Sequence, residues 1–270
     1  MNFSPDKFSE HLPEFAKRQL SDYDSNQPGT IFSEGITLGV EQAYQLQHAV
    51  SQLRIERGEI LVGFKVGCTS PVIRKQLGID HCIFGRLYES EKFRTVSTLS
   101  RKSYCNLAIE GELAVELSCA PTRDHFAKGE VPSCIKRIFP VIELHNHIVR
   151  GKEPSASELV ANNAIHAGIV AGKGITSEES SFGEFTSASP TLSIHADENC
   201  VEQYNGPLLL ETISTSLFWL MEELKKQHLS LASGQIVLTG SLPSLIPVTG
   251  NCKITVNAPP FGKVEANFTS

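Results

Sequence analysis

From about residue 90 the chain is built of short alternating or apolar runs, at 92–98, 107–118, 137–149, 191–196, 236–239 and 252–257. This recurrence constrains the fold more than any other feature. Runs of that length between polar loops read as strands, and strands must pair to satisfy their backbone groups. Helical patterns interrupt them near 155–166 and 208–229, the second preceded by Pro207 and ending near His228. Before residue 90 the texture differs. Phe3, Phe8, Leu12, Phe15 and Leu20 recur at helical spacing, and residues 22–36 read as a loop. Val40 to Val50, with Leu53 and Ile55, predicts a second helix with Thr37 as its cap and Gly58 at its end. Glu59 to Gly67 then reads as a strand. The expected class is α+β, with a smaller N-terminal α/β part over 1–90 and a larger strand-rich body over 91–270.

A hydrophobic fraction of 40% and a charged fraction of 20% suit a packed core. The net charge of -6 and the lack of any Lys/Arg run argue against a nucleic-acid or anionic-membrane surface. The seven cysteines are scattered without a CxxC pair, which suits reduced thiols better than disulfides or structural zinc. With no leader-like N-terminus and no apolar stretch of the ~20 residues that a membrane helix needs, a cytoplasmic protein is expected.

The chemistry starts at Leu107 to Leu117. On a strand, Glu110 and Glu112 point the same way, together with Ala108 and Ala114. Two carboxylates on an otherwise small, apolar face repel each other and lose hydration unless a cation neutralises them. A solvated strand face is the bland alternative, but the small neighbours argue against it. Hard oxygen donors point to Mg2+ or Mn2+. In Phe139 to Val149, Glu143, His145 and His147 share a face, and Glu143 sits inside an apolar run. The two histidines are read either as satisfied polar residues at a sheet margin, or as a proton-transfer group, or as nitrogen donors to the metal. Lys65 lies in a strand flanked by Gly63 and Gly67, where it either snorkels or meets a ligand that the glycines let approach. Thr239, Gly240 and Ser241 end a buried strand, and hydroxyls and backbone N–H groups there suit a carboxylate.

In order along the chain, Gly63-Phe64-Lys65-Val66-Gly67-Cys68-Thr69-Ser70, Gln76 to Asp80, Glu110-Gly111-Glu112, Glu143 and Gly234 to Leu242 resemble the hydratase/decarboxylase branch of the fumarylacetoacetate hydrolase superfamily. The resemblance spans roughly Thr37 to Phe268, and Val160-Ala161-Asn162-Asn163-Ala164 looks like a sixth, altered landmark. It implies a mixed β-roll or β-sandwich body and a homo-oligomer. It also implies an Mg2+ or Mn2+ ion at Glu110, Glu112 and Glu143, and a small 2-oxo acid substrate of the kind met in aromatic catabolism. Lys65 and Asp80 would belong to the catalytic set, with His145 and His147 beside them, while Ser70, Thr239, Gly240 and Ser241 would bind substrate. The expected reaction is hydration or decarboxylation through a metal-stabilised enolate. C–C hydrolysis of an acylpyruvate and a non-catalytic assembly role are the alternatives.

The chain departs from the family pattern at the reacting end. Cys82-Ile83 replaces a Pro-Asp pair, His145-Asn146-His147 stands where an acid and an arginine are usual, and Asn162 replaces an Asp. Three carboxylates are lost, and His145, His147 and His166 are gained.

Overall fold

The computed structural model describes residues 5–127, 130–148, 154–179, 191–205, 208–241 and 245–270. The first helix, α1 (Pro5–Asp24), buries Phe8, Phe15 and Ala16 along one face. After α2 (Thr30–Ser33) comes α3 (Val40–Glu56). Thr37 lies too early to cap α3. The N-cap is Gly39, whose N–H donates to the Gln42 side chain at 3.0 Å. Near its other end, buried Arg54 stacks on the Tyr88 ring and pairs with Glu59 and Glu91, tying the helix to the sheet.

The strand β1 (Leu61–Gly67) carries Lys65, and α4 (Pro71–Leu77) leads to β2 (Ile83–Tyr88), which returns antiparallel to β1. Two short strands, β3 (Lys92–Arg94) and β4 (Ser97–Ser100), precede the long pair β5 (Leu107–Leu117) and β6 (Ile135–Asn146). Next come α5 (Ala156–Ala161), one turn at Asn163–Ile165, β7 (His166–Ala171) and β8 (Ile175–Thr176). The chain ends with β9 (Thr191–Ala196), β10 (Asn199–Asn205), α6 (Leu208–Lys226), β11 (Ile236–Leu238), β12 (Ile246–Pro247), β13 (Cys252–Asn257) and β14 (Lys263–Thr269). Phe3, Val149, Pro207 and Leu242, which belonged to the sequence patterns, lie outside the described residues.

Nine strands form one mixed sheet in the order β2-β1-β11-β5-β6-β7-β3, with β12 also on β5 and β8 on β6. The other five form a second sheet, β10-β9-β13-β14-β4. The α+β expectation is met. The large sheet runs across residue 90, because β11 joins β1 and β2 to β5.

The odd-numbered residues of β5, among them Ile109, Leu113 and Val115, face the main core with Ile142, Ile194 and Val256. Each such side chain contributes about 1.5–3 kcal/mol through burial. Gly111 lies in this row, and a Cβ there would stand 2.8 Å from Ile194 and 3.0 Å from Val256. The glycine between the two glutamates is thus a packing requirement of the opposite face. Helix α6 packs against β5 and buries Ile213, Leu217, Leu220 and Leu224 at helical spacing. No helix among the described residues is long and apolar enough to cross a membrane. None of the seven cysteines is in a disulfide.

Candidate functional site

The even-numbered face of β5 presents Ala108, Glu110, Glu112 and Ala114, opposite His145, Glu143, Val141 and Phe139 of β6 in that order. One end of this face is apolar, where Ala114, Phe139, Val141 and Leu238 cluster, and the other end is ionisable. Glu110 and Glu143 are direct cross-strand partners, so their side chains start about 4.5–5.5 Å apart at Cβ. Lys65 reaches over from β1. Its Nζ lies 3.1 Å from Glu143 Oε1 and donates to the Ala164 carbonyl at 3.3 Å. His166 Nδ1 lies 2.7 Å from the same Glu143 oxygen. His145 Nε2 approaches Glu110 Oε2 at 3.3 Å and Glu143 Oε2 at 3.5 Å, both out of hydrogen-bonding alignment.

Several buried atoms here have no hydrogen-bond partner: Glu112 Oε1, Glu143 Oε2, and both ring nitrogens of His145. An unmet buried polar group costs about 1–3 kcal/mol, and native structures rarely tolerate several at one place. One donor atom each from Glu110, Glu143 and His145 lies within 4.8 Å of the others. Convergent, unpartnered carboxylate oxygens and an imidazole nitrogen fit a divalent cation. Glu112 stands beside this trio with one oxygen already engaged, accepting the Gly240 N–H at 3.0 Å.

The ionisation pattern has the same cause. Burial, with Glu143 and Glu110 close by, pushes the Glu112 carboxyl well above its usual range. Burial would also raise Glu143, but the Lys65 ammonium, with His145 and His166, outweighs it and holds that carboxyl well below the usual range. For Lys65, burial disfavours the charge, yet Glu143, Glu110 and Glu112 overcome it and hold the ammonium above its ordinary value.

A cleft of about 850 Å³ opens over these groups. Lys65, Glu110, His145, His147, Ser70 and Ser241 line its polar side, and Val72, Ile73, Leu77, Ile83, Leu159 and Ile165 line its apolar side. Thr239 is buried and donates its hydroxyl to the Leu113 carbonyl at 2.7 Å, so it braces the end of β11 on β5 and does not face the cleft. Gly240 has φ +96°, and a Cβ there would meet Thr69 at 2.4 Å, so only glycine brings this N–H onto Glu112. Asp80 is exposed beyond α4 and does not line the cleft. His147 is half-buried at the cleft wall.

Two features had no role in the sequence. His166 stands in the sequence only as a histidine that the family pattern lacks, and in the fold it holds Glu143. Asn163, Ala164 and Ile165 all take positive φ, at 56°, 52° and 56°. Such a run is strained for residues with a Cβ. It is held by Asn163, whose Oδ1 accepts the Arg86 N–H at 2.7 Å and whose Nδ2 donates to the Arg86 carbonyl at 2.9 Å. The turn aims the Ala164 carbonyl at Lys65. The Asn162-Asn163 pair was its visible signal, since Asn tolerates the left-handed region best after glycine.

The chain matches no family model. It is 26% identical to a 2-keto-4-pentenoate hydratase of Burkholderia vietnamiensis over 227 residues, 84% of this chain and 85% of the relative. Among solved structures, 4-oxalocrotonate decarboxylase from Pseudomonas putida G7, complexed with magnesium and adipate, superposes with a TM-score of 0.84 at 21% identity. That likeness covers 96% of this chain and 98% of the decarboxylase. Fumarylpyruvate hydrolase from Pseudomonas aeruginosa, in complex with Mn2+ and pyruvate, gives 0.59 at 11% identity over 76% of this chain and 88% of the hydrolase. In sequence the chain is thus similar to 2-keto-4-pentenoate hydratases, and it shares the fold of 4-oxalocrotonate decarboxylase and fumarylpyruvate hydrolase.

Proposed function

We propose that the protein is a divalent-metal-dependent lyase that hydrates or decarboxylates a short unsaturated 2-oxo acid. The observation that carries this reading is the set of buried, unpartnered atoms of Glu112, Glu143 and His145 facing the Lys65 ammonium at the floor of a cleft. Glu110 and Glu143 would hold Mg2+ or Mn2+, with Glu112 and His145 beside them, and the bound cation would polarise the oxygens of the 2-oxo acid and stabilise its enolate.

The chain's own residues divide the remaining work. Lys65 is fixed by Glu143 and the Ala164 carbonyl at the edge of the cleft, which places its Nζ to donate a hydrogen bond to a substrate oxygen. His147, at the cleft wall, is placed to exchange protons with substrate or water. Ser70 and Ser241 present hydroxyls to the substrate carboxylate. The wall of Val72, Ile73, Leu77 and Ile83 offers an apolar surface to the unsaturated tail.

The test is to incubate the Mn2+-loaded protein with 2-hydroxypenta-2,4-dienoate, with 4-oxalocrotonate and with an acylpyruvate, and to identify the products. A hydrated 2-oxo acid or released CO2 is expected. Two acids formed from an acylpyruvate, with neither of the others, would move the reading to C–C hydrolysis. The wide cover of the decarboxylase likeness favours the lyase over that alternative. The seven cysteines outside any disulfide support a reducing compartment such as the cytoplasm, and sedimentation velocity tests the expected self-association.

A further inference from the structure

Resting on the metal-dependent reading above, a second question is which cation these donors select. His145 stands two residues beyond Glu143 on β6 and faces the same way, with only the small Ala108 across from it in β5. Its residue exposure is 1%, and neither ring nitrogen makes a hydrogen bond among the described residues. Its Nε2 sits between two carboxylates, 3.3 Å from Glu110 Oε2 and 3.5 Å from Glu143 Oε2.

The surrounding contacts narrow what can satisfy that nitrogen. Two of the Lys65 donors go to Glu143 Oε1 and the Ala164 carbonyl, and His166 Nδ1 meets Glu143 Oε1 as well. Both therefore hold one oxygen of Glu143 and leave the other, Oε2, turned toward His145 with no partner. Glu112 repeats the arrangement, with Oε2 on the Gly240 N–H and Oε1 unpartnered. Each carboxylate is thus anchored through one oxygen, as outer partners orient metal ligands. An ion between Glu110, Glu143 and His145 would supply an electron-pair acceptor to these oxygens and, with the imidazole proton on Nδ1, to Nε2 as well.

We infer that His145 Nε2 is a nitrogen ligand of the cation, which makes this a mixed nitrogen/oxygen centre selecting Mn2+ over Mg2+. Mg2+ keeps to oxygen shells and gives up its waters reluctantly, whereas an imidazole suits the later first-row ions and is tolerated by Mn2+. His166 is a positioning residue here, because it touches Glu143 and not the ion.

The test needs no turnover. Chelator-stripped wild-type protein is loaded with Mn2+ and examined by electron spin-echo envelope modulation, and Mn2+ and Mg2+ are titrated by calorimetry. The expected result is nitrogen modulation from a bound imidazole, changed by incorporating 15N-histidine, with Mn2+ binding more tightly than Mg2+. His145→Ala should lose the modulation and most of that selectivity, and the labelled wild type decides the question if that variant does not fold. Mn2+ bound without nitrogen modulation would overturn the inference and leave the lyase reading standing. Failure of the wild type to take up either ion would overturn both.

Discussion

Lys65 and Glu143 neutralise each other inside the protein, and a buried pair is most informative when one member is removed. Lys65→Met would leave Glu143, which is fully buried beside two other carboxyls, with only the imidazoles of His145 and His166 to offset its charge. In the metal-free protein this substitution is expected to destabilise by about 3–5 kcal/mol in urea unfolding, and a change well under 1 kcal/mol would contradict the pairing. Glu112 makes the opposite kind of prediction. Its folded carboxyl is held well above the usual range, so the folded state keeps a proton that the unfolded chain has already released. Stability of the metal-free protein therefore falls as pH rises from the ordinary carboxylate range toward the raised value. Glu143 is displaced the other way: its contribution is complete above the ordinary range and is lost progressively as pH falls from that range toward the lowered folded value. Glu112→Gln should accordingly flatten the stability profile above the ordinary carboxylate range, and should make the metal-free protein more stable than wild type toward the alkaline end of that profile. Parallel wild-type and variant profiles would show that Glu112 titrates normally.

At the scale of elements, β5 is where sequence and structure meet most directly. Its period of two put Glu110 and Glu112 on one face without any knowledge of the fold, and the same alternation sends Gly111 to the inter-sheet core. Gly111→Ala is expected to lower stability by about 1–3 kcal/mol, because Ile194 and Val256 must yield to the new methyl group. A neutral result in thermal unfolding would mean that the sheets can part there without penalty. Glu143 was legible for the same reason, as an acid inside an apolar run. What could not be read was the pairing between elements. Glu112 falls opposite Val141 and His145 opposite Ala108, so His145 and not Glu112 completes the closest trio with Glu110 and Glu143. That outcome depends on the register between two strands in different parts of the chain. The Gly240 contact to Glu112 spans 128 positions and the Lys65 contact to Ala164 spans 99, and no local pattern encodes either. Thr239 shows the converse. Its residue type suited a ligand, but its hydroxyl serves the junction of β11 and β5.

For the whole molecule, the two sheets and the helices around them bring together a face with unpartnered carboxylate oxygens and a strained turn beside one cleft. A cation bound there should stabilise the folded state in proportion to the logarithm of its concentration, as any ligand of the native state does. The most direct test of the account is turnover of 2-hydroxypenta-2,4-dienoate or 4-oxalocrotonate by protein stripped with a chelator and then reloaded. The account predicts no turnover in the stripped wild type, recovery on adding Mn2+, and no recovery in Glu110→Ala despite a native-like fold. Turnover that persists after stripping, or that Glu110→Ala regains in full, would contradict it.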